Sequence, residues 1–278
     1  MQSLDDFLKD DDTNRYGPDT STVRRLILDW ITIESPIGLN FKNYNIHTLP
    51  PLPDTVKELT IGNEHLVYIP VLPTFLEDFW CIDAYNVRKI PALPNTLKYL
   101  NISNTQIVCI PTLGCNIERI IATNTPIRKL PYLYDGIEVL GLSGTKISKI
   151  PGVVLPDTLF ELNVSNTNIT TLPRGGRGLM YLYIHNTKIS ELPVIPYGLE
   201  ILTAYRCDNL IIPYNGYDNL RQYMMKWDTW RETGLVKERI ISRCNLIKEE
   251  LCMNVCKDLN IQGLPHYKDI LLTSRTDT

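Results

Sequence analysis

Between residues 36 and 213 the apolar positions fall into one recurring frame. One copy runs Leu93, Pro94, Leu97, Leu100, Ile102, Asn104, Thr105, Ile107, Ile110, Pro111. The same spacing returns at Ile117, Ile120, Ala122, Asn124, Ile127 and Leu130, and again at Leu159, Leu162, Val164, Asn166, Ile169 and Leu172. An apolar–proline pair closes each copy, from Leu49-Pro50 and Ile69-Pro70 to Leu192-Pro193 and Ile212-Pro213. These prolines step by 20, 21, 20, 20, 20, 22, 20 and 20 residues. A degenerate first copy carries Leu39, Phe41, Asn43, Ile46 and Leu49, which makes nine copies.

The spacing predicts a structure. Alternation over Leu100-Asn101-Ile102 makes a short strand whose two apolar side chains point inward. Successive strands then stack in parallel into one sheet. Asn43, Asn63, Asn104, Asn124, Asn166 and Asn186 follow the strands. They are expected to turn inward and satisfy backbone groups that a buried turn would orphan. Asp83 substitutes in one copy, and Gly144 and Arg206 interrupt the series. Roughly ten residues remain per copy, too few for a helix with its two loops. Proline fixes φ and donates no hydrogen bond, so the return path is extended or polyproline-like. A fixed period of about 20 residues with the pattern LxxLxLxxN is the signature of a leucine-rich-repeat solenoid. The expected fold is therefore an α/β solenoid: a right-handed superhelix with a concave parallel sheet, an extended or polyproline convex side, and helical caps at both ends.

The stretches Leu49-Pro-Pro-Leu52-Pro53, Ile69-Pro-Val-Leu72-Pro73 and Ile90-Pro-Ala-Leu93-Pro94 resemble the short LPxLPxxLxxLxIxNT repeat of secreted bacterial effectors. They are also similar to the phenylalanine-asparagine-isoleucine-proline repeats of amoebae and giant viruses. The second proline is replaced at Leu113-Gly114 and Leu133-Tyr134. The resemblance covers residues 36–213 and implies architecture far more than function.

A solenoid exposes its core at both ends unless it is capped. In residues 1–35, Val23, Leu26, Ile27, Trp30 and Ile31 occupy one face of a helix, and Ser3-Leu-Asp-Asp6 can start a shorter one. Residues 214–278 leave the repeat. Asp218 can cap a helix through Leu220, Tyr223, Met224 and Trp227. A second helix would carry Val236, Ile240, Cys244, Ile247, Leu251 and Val255 on one stripe. This tail is read as a helical cap or a small module.

Composition narrows the function. Hydrophobic residues make up 44% of the 278 positions and the net charge is −3, so the chain can bury a core. No segment is basic enough to mark a nucleic-acid binder, and no apolar run reaches the ~18–20 residues of a membrane span. The seven cysteines are odd in number and irregularly spaced. They read as reduced thiols of a cytoplasmic or otherwise reducing intracellular compartment, including a host cell or a virion. No cofactor motif is present. Cys244, Cys252, Cys256 and His266 lack the tight ligand pairs of a structural zinc site. The effector resemblance raises a ubiquitin-ligase Cys-x-Asp, matched by Cys256-Lys-Asp258 and Cys81-Ile-Asp83. The ligase domain of that family is several times longer than this tail, and Cys81 takes an inward position.

What remains is recognition of a partner protein by the outward strand positions. Tyr181, Tyr183, His185, Ile201 and Tyr205 gather at the C-terminal end of the concave face, and Trp80 with Tyr99 form a smaller group near the other end. Aromatic side chains bring large apolar area with a polar handle. Either a partner covers the larger patch or the C-terminal helices do. The expected function is thus a noncatalytic protein–protein interaction scaffold. The alternative is a structural component of a larger assembly such as a virus particle, and a ligase-type effector comes third.

Overall fold

The computed structural model describes residues 3–10, 15–33, 38–193 and 198–210. Nine strands follow two helices: α1 (Leu4–Lys9), α2 (Thr20–Thr32), β1 (Leu39–Asn40), β2 (Glu58–Ile61), β3 (Asp78–Cys81), β4 (Tyr99–Asn101), β5 (Arg119–Ile121), β6 (Val139–Gly141), β7 (Glu161–Asn163), β8 (Tyr181–Tyr183) and β9 (Ile201–Thr203). They form one parallel sheet in chain order, without crossover. The register follows the repeat, with Leu39, Leu59, Phe79, Leu100, Ile120, Leu140, Leu162, Leu182 and Leu202 paired strand to strand. These residues, and those two positions later from Phe41 to Ala204, form a single continuous buried core. Between the strands, the described segments hold no helix. The chain returns through turns and extended backbone, with isolated bridges Thr48–Tyr68 and Val154–Arg174.

Four of the six asparagines do a different job from the inward one expected of them. Asn104, Asn124, Asn166 and Asn186 take left-handed φ values of 55–57°, which asparagine adopts more readily than most residues. Their side chains are half-buried or exposed. They bond one another along the edge of the sheet: Asn104 Nδ2 donates to Asp83 Oδ1 (2.8 Å), Asn124 to Asn104 Oδ1 (3.0 Å) and Asn186 to Asn166 Oδ1 (2.9 Å). Asp83, Gly144 and Arg206 keep the left-handed turn, at φ 57°, 71° and 56°, so the backbone series runs unbroken where the side-chain series stops. Asn63 instead accepts from the amides of His65 and Leu66 and donates to Tyr44 O, and Asn43 is exposed.

The inward polar role belongs to the next residue. Thr105, Thr125, Thr145, Thr167 and Thr187 are buried, and each hydroxyl donates to the carbonyl three residues earlier at 2.6–2.8 Å. In the ninth turn Cys207 stands at this position, and its thiol donates instead to Ile184 O of the preceding turn at 3.0 Å. The Asn-Thr pair therefore splits two needs of one tight turn: backbone conformation and carbonyl satisfaction. Thr125→Val keeps the shape but strands the Ala122 carbonyl in the core. Its expected cost is about 1–3 kcal/mol of unfolding free energy, read by urea denaturation.

At the N-terminus, Ser3 caps α1 by accepting from the Asp6 amide, as its spacing suggests. Phe7, Val23, Ile27 and Trp30 join the core of the first strands. Ile31, expected on the same face, is 46% exposed, because the apolar arc of α2 narrows to Val23, Ile27 and Trp30. The helices expected in residues 214–278 lie outside the described residues.

Candidate functional site

Each turn offers three outward positions. The central column runs Asn40, Thr60, Trp80, Asn101, Ile121, Gly141, Asn163, Tyr183, Thr203, and the register places its members on adjacent strands. Strand neighbours lie about 4.8 Å apart, a spacing that lets aromatic rings on successive turns stack face to face.

Two such stacks form. Trp80 and Tyr99 lie with ring centroids 4.5 Å apart and planes at 21°. At the other end His185 and Tyr205 stack at 4.3 Å and 9°. Trp80, Tyr99, His185, Tyr183 and Ile201 are half-buried, and Tyr205 is 41% exposed. Burial holds the His185 imidazole below its ordinary range, so at neutral pH it presents an uncharged ring. Its Nδ1 lies 3.2 Å from Thr203 Oγ1, which fixes the ring plane. Burial pushes the Tyr99 hydroxyl up to about 12, against the opposing pull of the Asn101 hydrogen bond.

Tyr181 does not belong to this surface. Strand parity turns it outward, yet it is only 5% exposed. Its ring meets Phe160 edge-on at 6.4 Å and its hydroxyl donates to Glu200 Oε2 at 2.9 Å. Phe160 and Glu200 precede β7 and β9, so residues outside the strands close over it. Parity alone cannot register that contact.

Between the stacks the central column carries Asn101, Ile121, Gly141 and Asn163. Asn101 and Asn163 use their side-chain oxygens to accept from the amides of Ser103 and Ser165, and Ser165 is fully buried. Towards the N-terminus Lys42 reaches Asp83 at 3.0 Å, past Gly62, which has no side chain. The Asn104 hydrogen bond, then Lys42, draw the Asp83 carboxyl below its usual range. Sequence reading missed both Thr203 as the holder of His185 and this ion pair.

Cys81 is fully buried and its thiol is pushed up to about 12 by desolvation, so Cys81-Ile-Asp83 holds no thiolate. Cys256-Lys-Asp258 and the zinc candidates Cys244, Cys252, Cys256 and His266 lie outside the described residues. Among the described residues no group of three or more His, Cys, Asp or Glu side chains is placed to hold a metal ion. No described helix is long and apolar enough to cross a membrane.

One short parallel strand per 20-residue turn, a left-handed Asn edge and helix-free returns together define a leucine-rich-repeat solenoid fold. Its fold is similar to that of YopM, a leucine-rich effector protein from Yersinia pestis. That alignment has a TM-score of 0.57 and 20% identity, over 73% of this chain and 64% of that one. YopM from Yersinia enterocolitica WA-314 aligns at a TM-score of 0.47 and 22% identity, over 62% of this chain and 43% of the other. A Shigella effector leucine-rich-repeat domain aligns at 0.47 and 19%, over 69% and 75%. Disease resistance protein RRS1 of Arabidopsis thaliana is 26% identical over 114 residues, which is 39% of this chain but 9% of that protein. This chain thus matches less than a tenth of that relative's length. No family model matches the chain.

Proposed function

We propose that the chain is a noncatalytic protein–protein interaction scaffold that binds a partner protein on the concave sheet. The observation that carries the reading is the pair of preformed aromatic stacks at the two ends of one face. Stacked rings have already lost their rotamer freedom, so a partner that covers them gains apolar contact at little ordering cost. Aromatic anchors of this kind dominate interface energetics. Gly141, which carries no side chain, lets a partner backbone approach closely at the middle of the face. Neutral His185 can be covered without burying a charge. Four free cysteines among the described residues agree with a reducing intracellular setting, in a host cell or a virion. No part of the reading calls on nucleic acid.

The second reading, a rigid component of a larger assembly such as a virus particle, draws on apolar side chains exposed off the sheet, among them Tyr68, Phe75 and Tyr132.

The test is a paired substitution, His185→Ala with Tyr205→Ala, assayed by partner capture from host extract with mass spectrometry. Capture should fall at least about tenfold. The stack contributes about 0.5–1.5 kcal/mol, so Tm should fall by no more than roughly 6 °C. Unchanged capture would remove the concave end from the binding surface. A much larger fall in Tm would show the patch to be internal packing.

A further inference from the structure

The longest step in the repeat is 22 residues, between Pro151 and Pro173. The sheet keeps its register across it, with Leu140 still opposite Leu162. The extra length is therefore expelled from the core. It appears directly after Pro151, where Gly152 turns with φ 96° and sends Val153 and Val154 outward, 79% and 54% exposed. The protrusion is well held. Arg174 N donates to Val153 O at 3.0 Å and Leu155 N to Arg174 O at 2.9 Å, tying it to the next turn. On the preceding turn Tyr132 is 68% exposed and packs edge-on against Tyr134 at 5.0 Å.

Three cations lie on the same turns as this apolar ridge, with Arg174 bridged to Val154. Lys129 and Lys149 precede the closing apolar–proline pairs of their turns, and Arg174 follows Pro173; all three are exposed. Among the described residues none of the three has an acidic partner within 4 Å. The contrast with the residues leading into the strands is sharp. There Glu77 is held by Lys57 and Lys98, and Arg119 by Glu138. Two acids flank the ridge on that side, Asp135 and Asp157, and Asp157 accepts from the Arg177 amide.

We propose that Val153, Val154 and Tyr132, with Lys129, Lys149 and Arg174, form a second docking surface, on the convex side, for an acidic peptide segment that carries apolar side chains. Charge complementarity selects the acidic residues, and the valines select the apolar ones. A nucleic acid fits less well. Its phosphates gain nothing from two protruding valines, and the chain as a whole carries a net charge of −3.

The test uses the full chain and a fluorescein-labelled peptide of alternating Glu and Leu, read by fluorescence anisotropy at low and moderate salt. Binding should weaken with salt. It should weaken at least about tenfold in Lys129→Glu/Lys149→Glu/Arg174→Glu. It should weaken about threefold in Val153→Ser/Val154→Ser, and by a similar factor for an all-Glu peptide. The concave pair His185→Ala/Tyr205→Ala should bind as the wild type does, which separates this surface from the concave one. Circular dichroism checks that each variant is folded. Absence of binding at low salt, binding indifferent to both sets of flank substitutions, or tighter binding of an oligonucleotide of equal charge would each overturn the proposal.

Discussion

Phe79→Ala lowers the unfolding free energy by about 3–5 kcal/mol, the range for removing a fully buried aromatic ring. Phe79 is completely enclosed at the centre of β3, and every other residue in its column is Leu or Ile. Neighbouring aliphatic chains are fixed by their own turns and cannot collapse into the space a ring leaves. The consequence is local as well as large. Each turn of a solenoid touches only its neighbours, so its stability is a sum of turn and interface contributions. Weakening both interfaces of the third turn should uncouple β1 and β2 from β4 onwards. Hydrogen exchange is expected to accelerate over β1–β3 while β7–β9 keep their protection. Uniform acceleration would show that the solenoid unfolds as one unit.

Gly62→Ala should cost about 2–4 kcal/mol, from a different cause. Gly62 sits just beyond β2 with φ 148°, and a Cβ there would lie 1.7 Å from Ile82 O. That atom is backbone, and its residue is tied back to the sheet by the Ile82 N to Ile61 O bond of 3.1 Å. Nothing can rotate away, so β2 and β3 must separate. Gly136 supplies the control. Its φ is 114°, but the nearest atom to an added Cβ is 3.8 Å away. Gly136→Ala should therefore cost only the backbone strain, about 1 kcal/mol. Urea denaturation of the two variants side by side separates close approach from strain. Equal losses would contradict the geometric account.

The architecture was legible because a 20-residue period with inward Leu and Ile leaves one sensible stacking, and the strand register reproduces it residue by residue. The division of labour in the turn was not. Asn104 and Thr105 recur together, so periodicity alone cannot say which of them turns inward. The deciding quantities are a positive φ and a hydroxyl short enough to reach the carbonyl three residues back. The binding face was legible only in outline. Alternation identified Trp80, Tyr99, Tyr183, His185 and Tyr205 as outward, but the Trp80–Tyr99 and His185–Tyr205 stacks depend on spacing across turns. Tyr181 was misplaced for the same reason, since Phe160 and Glu200 reach it from outside the strands. The valine protrusion left a trace in the one 22-residue step, whose meaning appears only when the unbroken register shows that the surplus leaves the core.

Hydroxyl-radical footprinting with mass spectrometry, on the chain alone and bound to the captured partner, tests the concave-face claim most directly. Oxidation of Tyr183, His185, Tyr205 and Trp80 should fall on binding, while Tyr68 and Tyr85, exposed off the sheet, oxidise as before. Protection of Tyr68 and Tyr85 with the concave aromatics unchanged would contradict that claim.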